Sequence, residues 1–279
     1  MTNAPVIRTM TRDDVDFAIR LAAKEGWNPG LSDAECFYAA DPEGFFIAEQ
    51  NGEPVATISA VRYGDGYGFV GLYIVIPAER GKGYGMALWD HAMTHLEGRN
   101  VGLDAVTEQE QTYKKSGFST SYRSTRFQGI GGGSKPEEVV PLSKVDFTQI
   151  ASYDRQCFPE GRESFLRSWL EAVGVRGFAV MDGDNLSGFG VIRPCASGYK
   201  IGPLFADNGD VAETIYQALM AAVPGEKVFL DVIEPNGAAV KLAKSHDLEE
   251  VFVTVRMYTE DEPATALDKI FGVTSFELG

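Results

Sequence analysis

At 279 residues the chain is long enough for two domains that each bury a core, and its 44% apolar and 23% charged content is that of an ordinary globular protein. A net charge of −15 leaves no basic surface for nucleic acid, and no run approaches the ~20 apolar residues that span a bilayer. Three widely spaced cysteines (Cys36, Cys157, Cys195) argue against a disulfide framework, and the amino terminus lacks a basic-then-apolar leader, so a reducing, cytoplasmic setting is expected.

In chain order, Val6–Arg8 reads as a short strand, and Thr11–Asp14 as a capping box opening a helix to about Glu25. Ser32–Glu35 reads as a second box, opening a helix that stops before Pro42. Gly44–Gln50, the turn Asn51-Gly52 and Val55–Val61 predict a β-hairpin. An apolar, β-branched run then ends at Ile76 as a buried strand, and Pro77 stops it. The loop that follows holds Arg80, Gly81, Lys82, Gly83, Tyr84 and Gly85 and runs into a helical pattern to about Glu97. Glycines let successive N–H groups converge, the helix N-terminus behind them favours negative charge, and two cations stand at the same point. Such a loop is an anion cradle suited to a phosphate or diphosphate. Its spacing is neither the dinucleotide fingerprint nor a Walker loop.

Val101–Val106 reads as the next strand, Glu110–Ser116 as a short helix, and Phe118–Phe127 as β-like sequence. Gln128–Pro136 has the composition of a linker. Beyond it the pattern repeats: a hairpin at 177–192, a strand at 199–206, a helix at 211–223 and a strand at 228–233. Arg126 and Arg256 each lie eight residues past the matching Phe118 and Leu248. At the repeat's cradle position stands Asp207–Asp210, which would repel a diphosphate, and Tyr113 is matched by Ala243.

The order strand, Pro77, Arg80-Gly81-x-Gly83-x-Gly85, helix resembles the coenzyme A loop of the GNAT superfamily of N-acetyltransferases, over about Val6–Phe127. Tyr113–Phe118 resembles the Tyr-x-x-x-Gly-Phe that closes a GNAT acetyl site. The repeat, with Gly26–Gly30, Gly71–Val75 and Ser275–Gly279, is similar to a two-domain GNAT branch whose second domain is degenerate. The resemblance implies an α/β (α+β) fold of two tandem GNAT-like domains, each a mixed twisted sheet flanked by helices. The boundaries expected are 1–130 for the acetyl-CoA-binding domain, 131–137 for a linker and 138–279 for the degenerate domain.

It also implies an acetyltransferase that moves an acyl group from acetyl-CoA to a small-molecule amine without a metal, nucleic acid or membrane partner. A non-catalytic acyl-CoA sensor is the alternative. Residues 80–85 would hold the diphosphate, and Ile74, Val75 and Ile76 would meet the pantetheine arm through their backbone. Tyr113 is the candidate general acid, because a phenol of pKa about 10 can protonate a thiolate of pKa about 8.5. Asp104 and Glu108 are the candidate bases, and Trp27, Phe45, Phe46 and Tyr73 would line the acceptor pocket. His91 and His95 have zinc-pair spacing but lack the intervening glutamate and a third ligand, and read as residues of a polar helix face.

Overall fold

A computed structural model describes residues 4–279. The first half runs β1 (Val6–Thr9), α1 (Arg12–Lys24), α2 (Asp33–Ala40), β2 (Phe45–Gln50), β3 (Glu53–Tyr63), β4 (Tyr67–Val75), α3 (Tyr84–His95), β5 (Asn100–Val106), α4 (Glu110–Lys115) and β6 (Ser119–Ile130). The second runs β7 (Val140–Pro141), α5 (Phe147–Cys157), α6 (Glu163–Glu171), β8 (Arg176–Asp182), β9 (Asn185–Pro194), β10 (Tyr199–Ala206), α7 (Gly209–Ala221), β11 (Lys227–Ile233), α8 (Gly237–Ser245), β12 (Glu249–Tyr258) and β13 (Ile270–Gly272).

Local chemistry sets these boundaries. The Thr11 hydroxyl accepts from the Asp14 amide at 3.3 Å and the Asp14 carboxylate accepts from the Thr11 amide at 2.8 Å, closing the capping box of α1. Asn51 and Gly52 have φ of 55° and 82°, the conformation of a tight hairpin turn between β2 and β3. The box expected at Ser32 does not form. Ser32 makes no cap bond, because Asp33 accepts from the Gly30 amide and pairs with Arg193, while Glu35 turns outward to Arg12.

Among the described residues thirteen strands form one sheet in the order β1-β2-β3-β4-β5-β12-β6-β11-β10-β9-β8-β7, with β13 on β10. Among the described residues only β4–β5 and β10–β11 pair in parallel, one pair in each half. The sequence places β6 and β12 in separate halves, but in the sheet they have changed places: β12 lies against β5, and β6 against β11. Two buried ion pairs mark the exchange. Arg256 of β12 donates from Nε and Nη2 to both carboxylate oxygens of Asp104 of β5 (2.9 and 2.7 Å), and Arg126 of β6 binds Asp231 of β11 likewise (2.6 and 2.7 Å). One apolar core runs through both halves beneath α1, α2, α5 and α6, and two smaller cores lie on the opposite face.

Candidate functional site

β4 and β5 pair only from Tyr67 to Val70 and from Asn100 to Leu103. Beyond that they part. The register of β3 against β4 shifts between Thr57 and Ser59, and Leu72 takes φ of 46°, a conformation rare for a branched side chain. The Thr57 hydroxyl holds the bulge by donating to the Leu72 carbonyl at 2.9 Å. The wedge this opens is a cleft of about 440 Å³ lined by Tyr73, Val75, Arg80, Gly83 and Tyr113 among others.

At the floor of the cleft stands the N-terminus of α3. Gly81 and Gly83 have φ of 77° and 86°, with open space where a side chain would be. Gly85 serves differently: a Cβ there would meet the Tyr73 hydroxyl at 2.8 Å and Val75 at 2.9 Å, so its absence lets α3 close on β4. Among the described residues, the amides of residues 81–86 donate to nothing in the protein. The cradle's cations are held nearby. Arg80 donates to the Val75 carbonyl at 3.0 Å and pairs with Glu25 at 2.6 Å, and Lys82 pairs with Glu79 at 2.9 Å. The Ile76 amide donates to the Val55 carbonyl. Ile74 and Val75 border the cleft; Ile76 does not line it, and its N–H, like the Val75 C=O, is already engaged.

Tyr113 of α4 packs against Trp89 and Phe118 at 5.4 and 6.2 Å between ring centres. It lies where the cleft meets a second, narrower pocket of about 100 Å³ that runs inward beneath Trp27, Tyr73, Phe252 and Phe276. Burial, with a smaller effect of Tyr73, pushes the Tyr113 phenol above its ordinary range. Tyr73 rises to about 12, for burial and the nearby Asp90. Both phenols therefore stay protonated at working pH.

Trp27 and Tyr73 line the cleft and the pocket. Phe45 and Phe46 do not: Phe45 belongs to the shared core, and Phe46 packs under α3 against His91 and His95 at 4.7 and 5.0 Å. Alternation in β2 turns the two phenylalanines to opposite faces of the sheet, both of them covered. Glu108 is exposed in the turn before α4 and borders neither cavity. Asp104 borders the inner pocket, but both its oxygens are held by Arg256. The inner pocket also draws on residues to which the sequence reading gave no place in the site: Arg126, Phe252, Phe276 and Glu277. Phe252 arrives only through the strand exchange. Phe276 and Glu277 lie in Ser275–Gly279, which the sequence marks as part of the resemblance without assigning it a role.

The second half has closed the equivalent site with its own atoms. β10 and β11 pair from Tyr199 to Ile201 and then part as β4 and β5 do, but β13 fills the wedge, pairing with Leu204 and Phe205. The Asn208 side chain accepts from the Asp210 and Val211 amides, satisfying the helix N-terminus that the first half leaves free. Asp207 is taken up by Tyr153 and Lys269.

Comparison with known proteins finds the same two halves. Residues 12–118 match the acetyltransferase (GNAT) family and residues 150–272 match an acetyltransferase (GNAT) domain. The holothin acyltransferase of Pseudoalteromonas sp. (strain SANK 73390) is 37% identical over 92% of this chain and 89% of its own. YitH, an uncharacterized N-acetyltransferase of Bacillus subtilis (strain 168), is 25% identical over 76% of this chain and 77% of its own. In fold, the chain superimposes with a TM-score of 0.86 on a crystal structure from Pyrococcus horikoshii described as an acetyltransferase. That protein is 24% identical, and the match covers 100% of this chain and 97% of the other. A tandem GNAT protein of the clavulanic acid biosynthesis pathway gives a TM-score of 0.60 at 12% identity, over 93% of this chain and 98% of the other. With both halves matched and a full-length relative at this identity, the chain belongs to the GNAT acetyltransferase family and is an acyltransferase.

Proposed function

We propose that the chain transfers the acetyl group of acetyl-CoA to the primary amine of a small, largely apolar molecule by direct attack. One observation carries the reading: a single cleft joins the unpartnered amides of residues 81–86 to Tyr113 and continues into an aromatic pocket. The amides of Gly81–Gly85, with Arg80 and Lys82 swung from Glu25 and Glu79, fit a diphosphate. The edge of β4 that parts from β5 beyond Val70, with Ile74 and Val75 on the cleft, fits an extended arm that pairs with backbone, much as an added strand would.

Tyr113 gives its proton to the departing sulfur as the C–S bond breaks. Its phenol is raised by burial, and the same burial disfavours the thiolate, so the transfer stays matched. Trp27, Tyr73, Phe252 and Phe276 favour an acceptor with a flat or apolar body. The test is release of free thiol from acetyl-CoA when the protein is supplied with holothin, then with a panel of aromatic and alkyl amines. Amine-dependent release is expected. Tight acetyl-CoA binding without thiol release for any amine would end this reading.

A further inference from the structure

Residues 270–279 are buried along their whole length and belong to neither half alone. β13 lies in the wedge of the second half, with the Val273 amide donating to the Asp231 carbonyl at 2.9 Å. The segment then crosses to the first half. Arg162 donates to the Thr274 hydroxyl at 2.8 Å and the Gly279 carbonyl at 3.1 Å, and the Tyr63 hydroxyl donates to the Leu278 carbonyl at 3.1 Å. Between these anchors Phe276 and Glu277 reach the inner pocket. The wedge that in the first half stands open is, in the second, the mooring of this segment.

Glu277 is 3% exposed. One carboxylate oxygen, Oε2, accepts from the Ser275 hydroxyl at 2.6 Å, and the Glu277 amide donates back to Ser275 Oγ at 3.0 Å. The other oxygen, Oε1, accepts from nothing among the described residues, yet it is not one of the sealed, unpartnered polar atoms, so it opens on the pocket. The two carboxylates lining that pocket differ in this respect. Asp104 is neutralised by Arg256 at 2.7 Å, whereas no cation lies within 4 Å of Glu277 among the described residues.

We propose that Glu277 binds the acceptor's ammonium and takes the proton from its nitrogen. The proposal rests on acyl transfer to an amine in this pocket, as inferred above. Glu277 first passes one ammonium proton to solvent. As the C–N bond forms and the C–S bond breaks, it takes a second proton from nitrogen while Tyr113 protonates the sulfur. Solvent then returns a proton to Tyr113 and removes one from Glu277, so the protons balance. The charged groups that feel the Glu277 carboxylate are Asp104, Arg126, Arg193 and Lys200. Lys200 is a buried ammonium without a partner, lowered from its ordinary range by burial and by Arg126.

The test compares the parent with Glu277→Gln, which keeps the shape and the Ser275 contact, and with Glu277→Asp. With holothin and acetyl-CoA, Glu277→Gln should lose about 10²–10⁴ in kcat/KM while keeping the parent's acetyl-CoA affinity and melting temperature. Its rate should recover about tenfold per pH unit from pH 7 to 9, as free amine accumulates, and Glu277→Asp should regain part of the loss. Activity within about threefold of the parent would overturn the proposal.

A second measurement needs no turnover: benzylamine titrated calorimetrically into protein saturated with coenzyme A. The parent should bind at least about tenfold tighter than Glu277→Gln, and equal affinity, or binding by neither, would also overturn it. If no amine releases thiol from the parent, acyl transfer to a small amine fails on its own account, and the calorimetric pair still decides Glu277.

Discussion

The methyl group that Gly71 lacks would run into the main-chain carbonyl of Glu277. A glycine in the interior of β4 is thus explained by the close approach of Glu277, 206 residues further along the sequence. Gly71→Ala should displace residues 276–278 from the inner pocket. The expected outcome is a loss of about 1–3 kcal/mol of stability from overpacking, together with a fall in kcat and an unchanged affinity for acetyl-CoA. Denaturant melts and calorimetry would check both. A variant with parent stability and turnover would show that the approach is soft.

The cradle makes a separate prediction. Gly83 caps α3 in a left-handed conformation, so Gly83→Ala should cost about 1 kcal/mol through backbone strain and turn the local amides from the cleft. Arg80→Glu would put a second carboxylate beside Glu25. Both variants should weaken acetyl-CoA binding by at least about tenfold, and added salt should narrow the gap for Arg80→Glu because the group is exposed. Calorimetric titration of acetyl-CoA reads each. Unchanged affinity in both would remove the cradle from the cofactor site.

The glycine loop, the strand before it and the helix that carries Tyr113 were legible because each is local: a turn, a strand and a helix start within 45 positions of one another. The inner pocket was not. Its walls come from β12 and from residues 276–277, which reach it only because β6 and β12 exchange places and β13 lies in the second half's wedge. No local pattern encodes such long-range pairing. Asp104 was misjudged for the same reason, since the arginine that occupies it is 152 residues away. Phe45 and Phe46 sit in a strand buried on both faces, where an apolar run carries no sign of which side is a cavity.

Tyr113→Phe removes one oxygen from a ring packed between Trp89 and Phe118, so it should leave the fold and acetyl-CoA affinity intact. The expected loss is about 10²–10⁴ in kcat. Because burial raises the phenol above its ordinary value, the donor form persists on the alkaline side. The parent's kcat should therefore show no fall from Tyr113 ionisation up to pH 10. Rate measurements at saturating amine across pH 7–10 test this. A descending limb near pH 8 that Tyr113→Phe abolishes would contradict it.

The two matched ion pairs should respond differently to acid. Burial opposes the charge on both Asp104 and Asp231. Around Asp231, Arg126 with Lys200 and Arg193 outweighs burial and holds the carboxyl below its ordinary range. Around Asp104, burial prevails over Arg256, with Asp231 and Glu277 adding repulsion, and the carboxyl rises. A depressed folded-state pKa gives stability that is complete above the unfolded value of about 4 and is lost as pH falls through the folded one. A raised pKa has the opposite sign, so Asp104 opposes folding at neutral pH less and less as acid is added. Asp231→Asn and Asp104→Asn should each lose about 3–5 kcal/mol at pH 7, because each strands a buried guanidinium. Between pH 5 and 3, however, the melting temperature of Asp231→Asn should decline less steeply than the parent's, while that of Asp104→Asn should decline at least as steeply. Parallel acid limbs for Asp231→Asn and the parent would show that Arg126 and its neighbours do not hold Asp231 ionised.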